Sequence, residues 1–419
     1  MKISLKQGRE SVTLELDQKK IIDILHGREI HPLTSDQMKD IIADGIANHS
    51  PEDISRKKIA IIIPDNTRLW ARGDLYVPVI VQALQKIRVA PENITIVIAL
   101  GTHADIEADK FPDLAGEYSC KTVKILNSAN KNIKRLIRLG TTSRGTEIDI
   151  TKEVVDSDHI IIFGGVLHHM IAGYGGGRKY IFPGSAGYDS IQQNHSLTLD
   201  KNGLPHPQVR QAQLEGNPVH EDIDEACELV LQNRGCTYIS LAVNGEGNIF
   251  HTSVGPLKQT FLESCQKLNQ VCTAEIINKG DFVICSAGGH RTDGQLYQSV
   301  KALFNGVEAV KKGGEILLFA ECSEGYGNPK FGEMLKQYRS HPAKLGEKLL
   351  NNFDMPSYIA LRVIDLLQNC KVSLVSQFER QETEELGFSY VQDVSDYVKR
   401  LSGKGYIIPY AENILPILK

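Results

Sequence analysis

The sequence predicts an α/β protein of two domains that are built on mostly parallel, helix-flanked sheets. The chain has 419 residues, whereas a single hydrophobic core seldom grows past about 250–300 residues. Short continuous apolar runs rich in Ile and Val are typical of parallel strands that are buried on both faces. Helical patterns separate these runs, as expected of βαβ units. The runs occupy residues 59–63, 94–100, 160–163, 282–285 and 316–319, and the helical patterns between them include residues 75–87 and 298–312.

Two further elements are predicted before the first apolar run. Residues 1–20 are expected to form a hairpin, because SVTLEL at 11–16 alternates apolar and polar side chains. Residues 34–49 have helical spacing, with Thr34 or Ser35 as the N-cap.

The domain boundary is predicted from the pattern in the second half of the chain. A helical stretch at residues 259–274 precedes a new strand. We therefore expect a first domain over residues 1–270 and a second over residues 271–419. The largely apolar segment 405–418 would add a last strand to either domain.

The composition excludes several classes of protein. The net charge is −4 with interspersed signs, which gives no basic stripe for nucleic acid. No run of about 18 apolar residues exists to cross a bilayer, and the polar, alternating first residues are not a signal peptide. The eight cysteines contain no CxxC pair, so neither a zinc ribbon nor a thioredoxin motif is expected. A cytoplasmic location is predicted.

Each apolar run is followed by glycines or ionisable side chains. Because open α/β sheets bind ligands at the carboxyl ends of their strands, the five loops are expected to serve one chemistry. The sequences after the five runs are PDNTR at 64–68, GTH at 101–103, GGVLHH at 164–169, SAGGHR at 286–291 and AECSEG at 320–325.

The block HHMIAGYGGGRKYIFPG at residues 168–184 carries the strongest signal. Gly175, Gly176 and Gly177 allow a backbone to approach a ligand closely, and Arg178 and Lys179 offer positive charge to a phosphate or carboxylate. The block is not a Walker A loop, because the spacing differs and Tyr180 replaces the Ser or Thr that would hold Mg²⁺. An anionic cofactor is therefore expected here.

Other candidates are single residues with an alternative structural interpretation. Arg68 could bind a carboxylate through its guanidinium fork or close its own loop by a salt bridge. His103 follows a strand end, and His195 alone would more often be a capping or surface residue. Of the adjacent His168 and His169, at most one is expected to serve the site. Tyr297, Gln298 and Lys301 share one helical patch, where a purely structural role stays open.

Taken together, these motifs resemble the nickel-dependent lactate racemase family of 2-hydroxyacid racemases and epimerases. The matching pieces are DNTR at 65–68, GTH at 101–103, the block at 168–184, NH at 194–195 and YQxxK at 297–301, in the family's order. The resemblance implies an isomerase with its active site in the cleft between the two domains. It would invert C2 of a 2-hydroxy acid by reversible, proton-coupled hydride transfer.

The resemblance also implies a cofactor and the residues that hold it. The cofactor is a nickel-pincer nucleotide, the Ni(II) complex of pyridinium-3,5-bisthiocarboxylic acid mononucleotide. Lys179 would be joined to it covalently and His195 would be a nickel ligand. Asp65, Thr67, Gly175, Gly176, Gly177 and Arg178 would contact the nucleotide. Cofactor-biosynthesis proteins would be needed for activation, so protein produced without them would lack the cofactor.

The same resemblance gives roles to the remaining candidates. His103 and His169 would be the paired acid–base histidines, one for each enantiomer. Arg68, Gln298 and Lys301 would hold the substrate, and Tyr297 would line the pocket. Leu69 and Ala104 depart from the residues that often occupy these positions in enzymes acting on lactate. A larger or more polar 2-hydroxy acid, such as a sugar acid or a hydroxy-diacid, is therefore an equal candidate.

Two alternatives remain at the level of the sequence. One is a zinc hydrolase with three protein ligands, although no HExxH motif is present. The other is a non-catalytic or regulatory relative that binds a phosphorylated or anionic small molecule. Extra polar residues at His290 and Arg291 have no assigned role in any of these schemes.

Overall fold

The computed structural model describes residues 1–419, and the chain divides into two compact units. The terminal unit, so named because it contains both chain ends, comprises Met1–Glu29, Thr198–Pro207 and Gln270–Lys419. The central unit comprises Ile30–Leu197 and Gln208–Asn269. The first 29 residues thus group with the last 150, which differs from the predicted continuous span of 1–270.

The strands are numbered in chain order. They are β1 Lys2–Gln7, β2 Glu10–Glu15, β3 Ile21–Ile24, β4 Ile59–Pro64, β5 Ile94–Ala99, β6 Lys124–Asn127, β7 Leu136–Thr141, β8 Glu147–Thr151, β9 His159–Val166, β10 His168–His169, β11 Gly173–Tyr174, β12 Gly235–Val243, β13 Ile249–Pro256, β14 Thr273–Ile276, β15 Gly280–Ser286, β16 Val310–Phe319, β17 Lys371–Val375, β18 Ser389–Tyr390, β19 Gly405–Ile408 and β20 Leu415–Leu418.

The α-helices are numbered in the same way. They are α1 Ser35–His49, α2 Gly73–Lys86, α3 Phe111–Thr122, α4 Lys152–Val155, α5 Tyr188–Ser196, α6 Pro218–Leu231, α7 Leu257–Cys272, α8 His290–Asp293, α9 Leu296–Gly306, α10 Pro329–Tyr338, α11 Pro342–Asn351, α12 Met355–Asn369, α13 Arg380–Glu385 and α14 Val394–Arg400.

The central unit is built on a six-stranded sheet of order β13-β12-β9-β4-β5-β6. All neighbouring pairs are parallel except β12 and β13. Strand β4 is buried at every position, as predicted for a parallel strand covered on both faces. The predicted N-cap of α1 is confirmed, because Thr34 and Gln37 form a reciprocal capping box.

The order of these strands positions the candidate site. Strands β9, β4 and β5 are neighbours and run in the same direction. Their carboxyl ends therefore lead into residues 167–169, 65–68 and 101–103 at one edge of the sheet. Three of the five predicted loops belong to this sheet.

The terminal unit is built on a fully parallel sheet of order β18-β17-β16-β15-β19-β3. Strand β3 joins this sheet beside β19, and Leu5, Leu14 and Leu16 of the N-terminal hairpin lie in its core. These contacts explain why the first residues group with the C-terminal part. The other two predicted loops follow β15 and β16 of this sheet.

One predicted helix ends earlier than expected. The pattern at residues 298–312 predicts a single helix, but α9 ends at Gly306 and β16 begins at Val310. A short helix, α8, also separates the Gly288-Gly289 loop from α9. No helix of the chain is long and apolar enough to cross a membrane.

Candidate functional site

A buried carboxylate organises the loop that follows β4. Asp65 is only 2% exposed and accepts hydrogen bonds from the backbone N–H (3.2 Å) and the hydroxyl (2.5 Å) of Thr67. It also accepts a short hydrogen bond from His103 Nδ1. Arg68 lies alongside, with its Nη1 3.5 Å from Asp65 Oδ1 and 2.6 Å from Thr67 Oγ1. One carboxylate thus links three predicted site residues.

Asp65 remains an anion in this setting. Burial acts to raise the pKa of Asp65, but hydrogen bonds from His103 and Thr67 and the charges of His103 and Arg68 hold it below its ordinary value. An ionised carboxylate can only accept, so His103 must carry its proton on Nδ1. In the neutral form of the ring, the opposite nitrogen, Nε2, carries a lone pair that can take up a proton.

The turn after β5 presents His103 to solvent. Gly101 has a φ of +56°, which favours glycine, and the amide of Asn130 donates to the backbone oxygens of Gly101 (3.0 Å) and His103 (2.8 Å). The His103 side chain is 51% exposed. A fixed backbone and a fixed tautomer with an accessible ring are the properties expected of a general base.

The two adjacent histidines have different environments. His168 Nε2 lies 2.9 Å from Asn269 Oδ1, and burial lowers the pKa of His168. His169 Nδ1 accepts from the backbone N–H groups of Ile171 (3.3 Å) and Ala172 (3.2 Å). The neutral ring of His169 therefore carries its proton on Nε2 and can donate it, while His168 is held by a structural contact.

The three candidate glycines are not equivalent. A Cβ on Gly176 would lie 2.5 Å from Gly165 O, and one on Gly177 would lie 2.6 Å from the Phe261 ring. Both also have positive φ values, so the fold itself requires glycine there. A Cβ on Gly175 would make only ordinary van der Waals contacts, 3.8 Å from Leu167 O and 3.9 Å from His169 Cδ2, so packing does not require glycine at this position.

Lys179 has the electrostatics of a nucleophilic amine. It lies in a single 3₁₀ turn at Gly177–Tyr180 and is partly buried. Burial, and then the charge of Arg68, lower the pKa of Lys179 to about 7, and no carboxylate acts on it. A substantial fraction of this amine is uncharged at neutral pH, which is the form that makes covalent bonds.

His195 lies near Lys179 in the last turn of α5. Burial, and then the charge of Lys179, lower the pKa of His195 to about 3. The imidazole is therefore neutral at neutral pH, which is the form that binds a metal ion. A reactive amine beside a neutral imidazole fits a cofactor that is both covalently linked and metal-bound.

Arg178 is directed toward helix α6. Its Nε lies 3.2 Å from Asp224 Oδ1, and its Nη1 donates to Asp224 O at 3.0 Å. The Arg178 side chain is 14% exposed. These contacts indicate a structural ion pair, so nucleotide binding by Arg178 stays a prediction that its observed partners do not support.

Three more candidates lie in the terminal unit, on α9. Burial raises the pKa of Tyr297 to about 12. Its ring packs edge-on against the Phe331 ring, with 5.3 Å between the ring centroids. Lys301 Nζ donates to Gln298 Oε1 at 2.6 Å. Tyr297, Gln298 and Lys301 were predicted to share one helical patch, and the hydrogen bond joins Lys301 to Gln298.

A residue that sequence reasoning missed holds the helix of His195. Asp222 is fully buried and accepts hydrogen bonds from Thr142 Oγ1 (2.5 Å), Thr146 Oγ1 (2.8 Å) and Asn194 Nδ2 (2.8 Å). Asn194 directly precedes His195. No local pattern marks Asp222, because its partners come from the turn between β7 and β8 and from α5.

We expect Asp222→Asn to destabilise the central unit. The substitution removes a charge and opposes the Asn194 amide with another amide donor, which should cost about 2–3 kcal/mol of the free energy of unfolding. Urea unfolding measures the loss. Glu221→Gln is the matched control, because its ion pair with Arg144 is partly exposed and should contribute less than about 1 kcal/mol. Equal stabilities for the two variants would contradict the assignment.

The three-ligand metal site that the zinc-hydrolase alternative predicts is not found among these side chains. No group of three or more His, Cys, Asp or Glu side chains is placed to hold a metal ion. His103 is bonded to Asp65, and His168 to Asn269. A single neutral imidazole such as His195 instead suits a metal that a cofactor already holds.

Comparison with known proteins identifies relatives of this chain. The family model described as "Lactate racemase N-terminal domain" matches residues 7–204, and "Lactate racemase C-terminal domain" matches residues 276–404. The chain is 26% identical to a lactate racemase from Thermoanaerobacterium thermosaccharolyticum, over 99% of this chain and 95% of that protein. It is 24% identical to a lactate racemase from Lactiplantibacillus plantarum, over 78% and 77% of the two chains.

Solved structures show the same fold. The lactate racemase apoprotein from Thermoanaerobacterium thermosaccharolyticum superposes with a TM-score of 0.86 at 24% identity, covering 100% of both chains. A protein from Thermotoga maritima superposes with a TM-score of 0.63 at 16% identity, covering 94% of this chain and 100% of that one. The predicted α/β class with mostly parallel, helix-flanked sheets is confirmed.

Proposed function

The chain belongs to the lactate racemase family of isomerases, and on that premise we propose that it inverts C2 of a 2-hydroxy acid with a nickel-pincer nucleotide. The observation that carries the proposal is the juxtaposition of a partly neutral Lys179 amine with a neutral His195 imidazole. When bound, the cofactor would supply the acceptor for reversible hydride transfer from C2.

The residues of the central unit can hold such a group. Lys179 would form the covalent bond, because its amine is partly uncharged near pH 7. His195 would be the nickel ligand, since a neutral imidazole suits Ni(II). Gly175 would contact the nucleotide, and it is the one of the three glycines that packing within the chain does not require. Gly176 and Gly177 would contribute backbone groups, although packing already requires them to be glycine.

The two catalytic histidines have complementary tautomers. His103 donates from Nδ1 to Asp65 and can accept the substrate's hydroxyl proton at Nε2. His169 accepts at Nδ1 and can return a proton from Nε2. Inversion needs a base for one enantiomer and an acid for the other, and the reverse reaction exchanges these roles. The tautomers in this structure therefore suit the direction of inversion in which His103 accepts the proton and His169 returns one.

Arg68 would hold the substrate carboxylate near these groups. Its side chain is 38% exposed and uses Nη1 for Thr67 and Asp65. The Nε–H and Nη2 donors remain for a carboxylate, which guanidinium binds in bidentate fashion. Asp65 and Thr67 would therefore position His103 and Arg68. They also remain candidate contacts of the nucleotide.

Chiral analysis of a substrate panel tests the proposed function. Protein produced together with the cofactor-building enzymes is incubated with single enantiomers of lactate, malate and a sugar acid. We expect chiral chromatography to detect the mirror form or the C2 epimer of at least one acid. Nickel-loaded protein that converts none of them, while the Thermoanaerobacterium relative prepared identically converts lactate, would favour the non-catalytic alternative.

Substrate preference is a second readout of the same panel. Leu69 follows Arg68 directly and is 50% exposed, so its side chain is not packed into the core and can contact a bound substrate. We propose a larger or more polar 2-hydroxy acid than lactate as the preferred substrate. A kcat/KM that is highest for lactate would contradict this part of the proposal alone.

A further inference from the structure

Two polar side chains on α9 are oriented by their mutual hydrogen bond. Lys301 Nζ lies 2.6 Å from Gln298 Oε1. An ammonium group has donors only, so the amide oxygen of Gln298 must face it. The Gln298 amide nitrogen is therefore directed elsewhere with its two N–H groups. The pair presents only donors, as a carboxylate or hydroxyl oxygen of a ligand requires.

A carboxylate stands behind this pair. Glu412 lies in the connection between β19 and β20, and its Oε1 is 3.7 Å from Lys301 Nζ. The Asn305 amide on α9 donates to the backbone oxygens of Ala411 (2.7 Å) and Glu412 (3.1 Å). The same helix is thus tied to this connection at its far end. The position of Glu412 relative to Lys301 is fixed by the backbone.

The Glu412 carboxylate is costly in this place. Its side chain is 20% exposed, and its second oxygen, Oε2, is buried and accepts no hydrogen bond. Burial raises the pKa of Glu412, while the charges of Lys301 and Arg291 and hydrogen bonding from Lys301 and Thr292 oppose the shift. The ion pair is expected to add little to stability, because the cost of burying a carboxylate offsets much of its attraction to Lys301. An apolar or amide side chain would be the better structural choice.

We propose that Glu412 is a positioning residue that fixes the Lys301 ammonium, and through it the Gln298 amide, for binding the oxygens of the substrate. The inference rests on the proposed function in assigning Lys301 and Gln298 to the substrate. A free lysine side chain samples many rotamers, and holding it in one position beforehand lowers the entropy that binding must overcome. Lys301 is 34% exposed and keeps donor capacity beyond Gln298.

Glu412→Gln isolates the charge, because glutamine has the same shape. In the cofactor-loaded enzyme we expect KM for the 2-hydroxy acid to rise about tenfold, the cost of loosening one charge-assisted contact. The value of kcat should stay within about threefold, and nickel content and the thermal midpoint should not fall. Glu412→Asp keeps the charge but has a shorter side chain, so its carboxylate lies farther from Lys301 Nζ. This variant should give an intermediate KM.

Glu308→Gln is the matched control. Glu308 pairs with Lys279 at 4.0 Å in the same unit and has no part in the proposed site, so its KM should equal that of the unsubstituted enzyme. A Glu412→Gln enzyme that melts earlier with an unchanged KM would show a purely structural role and overturn the inference.

A binding measurement separates this inference from the proposed function. Oxamate resembles the substrate's carboxylate end but has no hydrogen to transfer, and calorimetry measures its affinity for the loaded protein. We expect oxamate to bind about tenfold more weakly to Glu412→Gln and to Lys301→Ala. If the enzyme racemises its substrate but the unsubstituted protein and both variants bind oxamate with equal affinity, the positioning role alone would be overturned. Weakened oxamate binding in a protein that converts no acid would overturn the catalytic proposal alone, and no oxamate binding at all would overturn both.

Discussion

Lys179→Met is expected to abolish both the covalent adduct and all racemisation. Methionine fills nearly the same volume but has no amine, so the cofactor would have no nucleophile to which it could be joined. The cofactor carries the chemistry, so no activity should remain above background. Intact-protein mass measures the adduct, metal analysis measures nickel, and chiral chromatography measures activity. Full activity with normal nickel would contradict the covalent assignment.

The same substitution should stabilise the cofactor-free protein. The pKa of Lys179 is lowered to about 7 in the folded state, whereas an unfolded lysine titrates near 10.4. The unfolded state therefore binds more protons between these values, so this lysine destabilises the fold fully below pH 7 and ceases to do so as pH rises toward 10. At pH 7 we expect Lys179→Met to add about 2–4 kcal/mol to the free energy of unfolding.

Lys152→Met is the matched control for both effects. Lys152 is exposed in the same unit, so its substitution should leave the adduct, the nickel content and the stability nearly unchanged. The gain expected for Lys179→Met should shrink when unfolding is measured at pH 10. A gain that is equal at pH 7 and pH 10 would show that packing, rather than the charge, is responsible.

The sequence predicts the inner strands of both sheets because their signals are local. Continuous apolar runs lie at β4, β5, β9, β15 and β16. The apolar composition of each run is enough to predict that it is a buried strand. The Thr34 N-cap follows in the same way from a contact between near neighbours. The motifs after β4, β5 and β9 could be assigned to one sheet edge once these strands were recognised as parallel.

Contacts between residues that are far apart in the sequence could not be predicted from local sequence patterns. The pairing of β3 with β19 joins residues more than 380 positions apart, and the sequence near β3 does not predict which strand it pairs with. Asp222 and Glu412 likewise derive their importance from contacts across the chain. The sequence marks Arg178 only as a cation beside glycines, and the position of Asp224 decides that it pairs within the fold.

The glycine-rich loop illustrates a different limit. From the sequence, Gly175, Gly176 and Gly177 are equivalent candidates for ligand approach. In the fold, Gly176 and Gly177 lie against Gly165 and Phe261, so packing accounts for them without a ligand. A glycine requirement has the same signature in the sequence whether the close neighbour is a cofactor or another part of the chain.

Asp65→Asn is expected to lower kcat about 10²–10⁴-fold, while the proposed attachment at Lys179 and His195 retains the cofactor even if a nucleotide contact of Asp65 is lost. Asp65 fixes the Nδ1–H tautomer of His103, and an asparagine amide can instead donate to Nδ1 and place the proton on Nε2. The ring would then lack the lone pair that accepts the substrate proton, and a buried carboxylate that orients a catalytic histidine is worth a loss of this size. Steady-state kinetics of the loaded variant measure the effect.

The variant also separates the two partners of Asp65. Arg68 lies 3.5 Å from this carboxylate, so an altered position of Arg68 would change KM, whereas the wrong His103 tautomer lowers kcat. Asp74→Asn is the matched control, because Asp74 pairs with Arg72 on the same stretch and does not contact His103. Since His103 would serve as base for one enantiomer and acid for the other, kcat should fall in both directions. A kcat within threefold of the unsubstituted enzyme would remove Asp65 from the catalytic arrangement, and with it the structural reason for assigning His103 as the base.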